Sequence, residues 1–329
     1  MIVHKAHCHD CPVGCSQIKL VTAGPYAGYM SEGPEYETTY SLGSTLGIDY
    51  LPAVIAADRV CDEYGLDTMS AGVAIGFAME LYEKGILTKE DTGGLELKFG
   101  NHGILLEMLR KIAYREGLGD ILSRGTKKAA EIIGKGSGAY AMHVKGLELP
   151  AYDVRGAKAH GLNYATAYTG ADHNRGYAFQ EIFDIPVPEQ VDRMAIKGKG
   201  RLTKWNQDVR CVTCDCAPMC AFLLDMAVPG IACRNTADLV NAAAGMDFTA
   251  EEIEKIGERI NNIARLFNIG AGFTRKDDTF PKRLMTEAIK EGPSRGQLIS
   301  QADLDEMLDE YYAERGWNKD GTPTAAKLK

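Results

Sequence analysis

The stretch His7-Cys8-His9-Asp10-Cys11-Pro12-Val13-Gly14-Cys15 constrains this chain more than any other. Its cysteines are spaced C-x2-C-x3-C, with a proline after the second and a glycine before the third. Three thiols this close leave one over if they pair as disulfides. They can instead converge on one metal centre if a loop wraps around it. Iron–sulfur clusters use short-spaced cysteines of this type, usually with a fourth thiolate from elsewhere, and zinc uses them too. A metal of either kind sends the search for a fourth ligand to the second cysteine cluster, Cys211, Cys214, Cys216 and Cys220.

The chain has 329 residues, 45% apolar and 25% charged, enough for two domains and a sizeable core. A net charge of −8 with no long basic block argues against nucleic acid or an anionic membrane surface as partner. No apolar run approaches the length of a membrane span, and the N-terminus lacks the apolar core of a signal peptide. Nine cysteines, odd in number and clustered, read as reduced thiols of a cytoplasmic chain rather than a disulfide framework. Cys61 and Cys233 stand apart from the clusters and read as buried structural thiols.

Taken in order, the pattern is mainly α. Gln17 to Thr22 alternates like a short strand. Residues 50 to 61 form a helix with Pro52 in its first turn, and Gly65 suits its end. The next helix, from about Thr68 to Lys84, is rich in Ser70, Ala71, Gly72, Ala74, Gly76 and Ala78. Such a helix packs closely against another backbone or a flat ligand. Thr88 to Asp91 resembles a helix-starting capping box. Helical periods follow over 101–115 and 119–134, and Ala139 to Val144 reads as a strand. The boundary between two domains, 1–148 and 149–329, is expected here. Further helices are expected at 236–244, 249–268 (with Thr249 and Glu252 as a capping box), 282–291 and 301–314, and a loose tail from Gly321.

Two polar stretches stand out. Glu32-Gly33-Pro34-Glu35-Tyr36-Glu37-Thr38 carries three carboxylates around a turn, either a solvated surface or the source of a base. Tyr152 to Tyr177 is dense in Gly, Tyr and amides and suits the wall of a polar pocket. Within it, His173 between Asp172 and Arg175 is a candidate catalytic group.

These residues together resemble the C-terminal part of the tungsten-containing aldehyde ferredoxin oxidoreductases. The match rests on the Cys8, Cys11, Cys15 loop, the Glu32–Thr38 stretch, and Asp62-Glu63-Tyr64-Gly65-Leu66-Asp67, which fits a D-x-x-G-L-D pterin motif. It rests also on Tyr164-Ala165-Thr166 through His173. Asp215-Cys216-Ala217-Pro218-Met219-Cys220 has the ends of the family's second motif, D-x-x-G-L-C, with Pro218 and Met219 in place of Gly and Leu. The resemblance implies two mainly helical domains with a few short strands. It implies a [4Fe–4S] cluster on Cys8, Cys11, Cys15 and Cys220, beside a tungsten or molybdenum bis-pterin held by Asp62, Gly65, Leu66, Asp67, Asp215 and Met219. Any of Cys211, Cys214 and Cys216 could replace Cys220 or form a separate site. The implied reaction oxidises an aldehyde to a carboxylic acid and passes electrons to ferredoxin. Glu37 is the expected base, Glu35 its rival, and His173 the group that orients the carbonyl. Full-length members carry an N-terminal β-rich domain, whereas seven residues precede Cys8 here. The expectation is a subunit whose partner supplies that domain, with self-association open. The other readings are a truncated product, a non-catalytic iron–sulfur electron-transfer protein, or a subunit of a related aromatic acyl-CoA reductase.

Overall fold

In the computed structural model, which describes residues 1–223 and 229–329, the cysteine loop joins two antiparallel strands, β1 (Ile2–Ala6) and β2 (Ser16–Leu20). A third strand, β3 (Met30–Glu32), pairs with β2, with Ile18 opposite Glu32. Of the three, only β2 was legible as alternation; the others are too exposed or too short to carry a pattern.

These strands belong to the first of two compact units, Met1–Ala151 and Tyr152–Lys329. In unit 1 the chain continues through α1 (Tyr36–Leu42), α2 (Leu51–Tyr64) and α3 (Thr68–Glu83). Helix α2 starts with Pro52 in its first turn and ends at Gly65, whose left-handed φ of 65° lets the Leu66 N–H reach the Cys61 carbonyl at 2.9 Å. Asp67 then opens α3 by accepting the Ser70 N–H at 2.7 Å. The small residues of α3 serve a backbone approach: a Cβ on Gly72 would lie 2.4 Å from the Ser41 carbonyl oxygen of α1. Ile75, Met79 and Leu81 of α3 are fully buried with Leu105, Met108 and Leu109 of α4 (Leu105–Tyr114), forming a hydrocarbon core.

Three local expectations in unit 1 need correction. Thr88 and Asp91 do exchange capping bonds, but Gly93 and Gly94 turn left-handed and no helix follows. The single helix over 119–134 is two, α5 (Leu118–Leu122) and α6 (Gly125–Ile133). The break holds because the buried Glu148 carboxylate caps α6 from a distance, accepting the Thr126 N–H at 2.6 Å and its hydroxyl at 3.0 Å. The strand over 139–144 shrinks to β4 (His143–Val144) paired with β5 (Leu147–Glu148), after a 3-10 turn over Ser137–Tyr140.

Unit 2 runs α7 (Lys158–Thr166), α8 (Phe179–Phe183), α9 (Lys199–Arg210), α10 (Ala232–Ala244), α11 (Ala250–Gly270), α12 (Lys282–Thr286) and α13 (Gln301–Arg315). The Thr249–Glu252 capping box opens α11 as expected. Helix α12 stops early, because Ile289 and Gln297 close a loop there. The tail, expected loose, is pinned from its start to near its end: Arg265 Nε donates to the Gly321 carbonyl at 2.9 Å, Trp317 pairs with Pro323, and Lys327 pairs with Glu258. The largest correction is α7. Expected as a pocket wall, it is buried at every residue. Its polar groups are satisfied inside: Gln207 Nε2 donates to Asn163 Oδ1 and Thr166 Oγ1, both at 3.1 Å, and Glu181 accepts the Ala159 and His160 N–H groups. The chain as a whole is mainly helical with a few short strands.

Candidate functional site

The cysteine loop is exposed at the end of the β1–β2 hairpin. Cys8 and Cys15 are exposed, Cys11 is half-buried, and all three are free thiols. The Cys11 N–H donates to the Cys8 carbonyl at 3.0 Å, and His7 Nδ1 donates to the Cys11 carbonyl at 3.2 Å. The His7 ring lies over Gly14, where φ is +57° and a Cβ would sit 2.4 Å from the ring, so glycine is required there. Among the described residues, no three His, Cys, Asp or Glu side chains stand together at coordinating distance. The donor set nonetheless fits an iron–sulfur centre: three free thiols on one short loop, two of them exposed and one half-buried.

The two acidic candidates of unit 1 differ in how they are held. Glu37, half-buried in the first turn of α1, accepts the Ala151 N–H on Oε2 at 2.9 Å. Glu35 is exposed, and its side chain makes no cap bond. Asp62 is exposed at the end of α2, beside Gly65 and Leu66, while Asp67 already caps α3. One acid escaped the sequence reading. Asp58 is buried on α2, accepts the Ser31 hydroxyl and lies under Gly33. Burial pushes its carboxyl up, with the Ser31 bond opposing. Its only signal was an acid at the end of the apolar run Leu51–Ala57.

In unit 2, His173 sits in a short 3-10 turn, His173–Arg175, on a platform of Tyr152 and Tyr177 rings 6.3 and 6.0 Å away. Burial pulls its pKa down to about 4, with Asp172 opposing and Arg210 adding to the shift, so the imidazole is neutral at pH 7. Beneath lies His160, wholly buried and pulled down to about 3 by burial and then by His173 and Arg210. Sequence reading missed His160, Tyr152 and Tyr177 as a group. Only the local density of aromatic residues signalled them.

Arg175 links the His173 turn to the second cysteine motif. Its guanidinium donates to Asp172 at 2.9 Å, to the Tyr168 hydroxyl at 2.8 Å and to Asp215 at 2.7 Å. Asp215 lies in a π-helical segment, Cys211–Cys216, that continues α9. Such segments often accompany functional sites. Met219 is half-buried, with its N–H on the Thr213 carbonyl at 3.2 Å, and Cys220 is exposed. Of the four thiols here Cys211 is the least available: it is buried, faces the Gly257 carbonyl, and burial raises its pKa to about 12. Burial also raises Cys61 to about 12, in keeping with a structural thiol.

The family model for aldehyde ferredoxin oxidoreductase, domains 2 and 3, matches residues 1–329, and the chain belongs to this family. It is 42% identical over 327 residues to the tungsten-containing aldehyde ferredoxin oxidoreductase of Thermococcus kodakarensis, covering 97% of this chain and 51% of that protein. It is also 42% identical over 335 residues to the enzyme of the same name from Pyrococcus furiosus, covering 52% of it. An aliphatic sulfonate oxidoreductase, WOR-like subunit, of Pyrococcus furiosus is 32% identical over 333 residues. The chain thus spans about half the length of the curated relatives it matches. Among solved structures, the BamBC active-site complex of benzoyl-coenzyme A reductase with 1,5-dienoyl-CoA matches with a TM-score of 0.79 and 27% identity. That match covers 99% of this chain and 52% of the other. No helix among the described residues is long and apolar enough to cross a membrane.

Proposed function

We propose that this chain forms the helical half of a cytoplasmic tungsten (or molybdenum) bis-pterin, [4Fe–4S] oxidoreductase that oxidises an aldehyde to a carboxylic acid. Ferredoxin or a similar carrier takes the electrons, and a further domain or subunit completes the pterin site. The observation that carries this reading is identity above 40% along the whole chain to tungsten-containing aldehyde ferredoxin oxidoreductases, together with three free thiols on one loop. Cys8, Cys11, Cys15 and Cys220 would hold the cluster. Asp62, Gly65, Leu66, Asp67, Asp215 and Met219 would line the pterins, where an ionised carboxylate accepts two ring N–H donors. When bound, the metal–pterin group takes two electrons and the cluster releases them singly.

The remaining work falls to this chain's own side chains. Converting an aldehyde and water to an acid releases two electrons and two protons. Glu37 receives a proton on its carboxylate, whose Oε2 is steadied by the Ala151 N–H. His173, neutral and backed by aromatic rings, orients the carbonyl. In the assembled holoenzyme, Glu37→Gln is expected to lower kcat by about 10²–10⁴-fold and to leave iron content and the cluster EPR signal unchanged. Retained turnover would sink the assignment to Glu37. Metal analysis tests the cofactors: roughly four irons with stoichiometric tungsten or molybdenum supports the catalytic reading, and iron alone supports a non-catalytic electron-transfer protein.

The likeness to the BamBC complex favours a second reading, in which the chain is the subunit of a tungsten reductase acting on an aromatic thioester. Parallel assays with aldehydes and with aromatic acyl-CoA separate the two.

A further inference from the structure

The groups around His173 decide which of its nitrogens carries the proton. Arg210, the last residue of α9, donates Nη2–H to Asn174 Oδ1 at 2.6 Å and Nε–H to the Asn174 carbonyl at 3.2 Å. A guanidinium only donates, so the amide atom it meets is the oxygen and not the NH2 group. That choice turns Asn174 Nδ2 toward His173 Nε2, 3.1 Å away. An amide nitrogen also only donates. His173 Nε2 is therefore the nitrogen with the lone pair, and a neutral imidazole then carries its proton on Nδ1. Asp172, the nearest carboxylate in sequence, does not reverse this assignment, because its oxygens are taken by the Asn174 N–H at 2.8 Å and by Arg175 at 2.9 Å.

We infer that Arg210, acting through Asn174, is a positioning residue that locks His173 as the neutral Nδ1–H tautomer. The imidazole then has no proton to give from Nε2, and its single N–H is the enclosed Nδ1. The catalytic consequence rests on the proposed function: a ring held neutral, with its Nε2 lone pair engaged by the Asn174 amide, suits fixing the shape of the site and does not suit proton transfer. The depressed pKa of His173 agrees, since a protonated ring would set its Nε2–H against the donors of the Asn174 amide. The sequence hid this chain of contacts. Arg210 looked like the flank of a cysteine cluster, and Asn174 like one more amide in a polar stretch.

The test is NMR on the full chain labelled with 15N-histidine, at mildly alkaline pH, with the His173 signals assigned by their loss in His173→Gln. The expected pattern is a protonated-type Nδ1 and an unprotonated-type Nε2. Asn174→Asp places a carboxylate where the NH2 was and keeps an acceptor for Arg210; the two nitrogen signals should then interchange. Asn174 is exposed, so this variant should fold. Arg210→Gln frees the amide to turn and should move the population toward Nε2–H. A wild-type ring protonated on Nε2, or an Asn174→Asp pattern identical to wild type, overturns the lock. An Arg210→Gln pattern identical to wild type removes Arg210 from it. No turnover enters these readings. If the tautomer is as stated and His173→Gln holoenzyme is fully active, the catalytic role of His173 falls while the lock stands.

Discussion

The core of unit 1 is hydrocarbon; much of the core of unit 2 is charged. In unit 1, α3 and α4 meet through Ile75, Met79, Leu105 and Leu109, all fully buried. In unit 2, the largest fully buried side chain is Arg315, which pairs with the equally buried Asp208. Asp208 also takes Lys204 at 2.9 Å and Asn261 at 2.9 Å, and Gln207 accepts from Tyr311 at 2.6 Å and from Arg315 at 2.7 Å. A second buried pair, Lys199–Glu181, holds the start of α7. The first kind of core tolerates volume-conserving exchange, because apolar contacts are non-directional. The second holds only while every donor and acceptor is matched. It is the second kind that carries the His173 turn, where the geometry of single hydrogen bonds matters most.

Three perturbations sharpen this contrast. The largest effect is expected from Arg315→Met, which strands much of the charge on Asp208 and frees two bonds to Gln207 and Tyr311. It should cost about 3–5 kcal/mol, read as a lower urea midpoint by tryptophan fluorescence, since both tryptophans, Trp205 and Trp317, lie in unit 2. A shift near zero would mean that the polar core is no more demanding than an apolar one. Next comes Leu105→Ala in unit 1, at roughly 2–4 kcal/mol for the lost methylenes and the cavity. It should move the circular-dichroism transition more than the fluorescence one. Equal shifts of both signals would break the contrast between the units.

The smallest effect, taken per pH unit, is a pH slope. His160 has a folded pKa of about 3, against about 6.5 in an unfolded chain. Between these values the unfolded chain binds the extra proton, so stability rises with pH across that window and falls on acidification. The contribution is about 1.4 kcal/mol per pH unit. Stability curves of His160→Gln between pH 4 and 6 should be flatter than wild type by one proton. An unchanged slope would show that His160 titrates normally.

Legibility followed the same divide. Helices α2, α3, α4, α11 and α13 were visible because apolar period, a first-turn proline, a terminal glycine or a capping box writes them locally. The break between α5 and α6 was invisible because its cap, Glu148, comes from a hairpin further along the chain. Helix α7 was misjudged because a buried polar helix differs from a pocket wall only in where its partners sit, and those partners are on α8 and α9. For the candidate site, the sequence pointed to Glu37, His173, Asp215 and the cysteine loop as residues. It did not show that Glu37 rests on the Ala151 N–H, or that Arg175 ties Asp172 to Asp215.

By itself, then, the sequence determined the helical class, the short loop with its three thiols, and the family to which the motifs belong. These depend on residue type and short spacing, which backbone sterics and ligand chemistry read directly. Only the tertiary structure decided which thiols are exposed, which carboxylate is steadied, and which nitrogen of His173 bears its proton. Those properties depend on desolvation and on the direction of single hydrogen bonds between groups remote in the chain, and no local pattern encodes either.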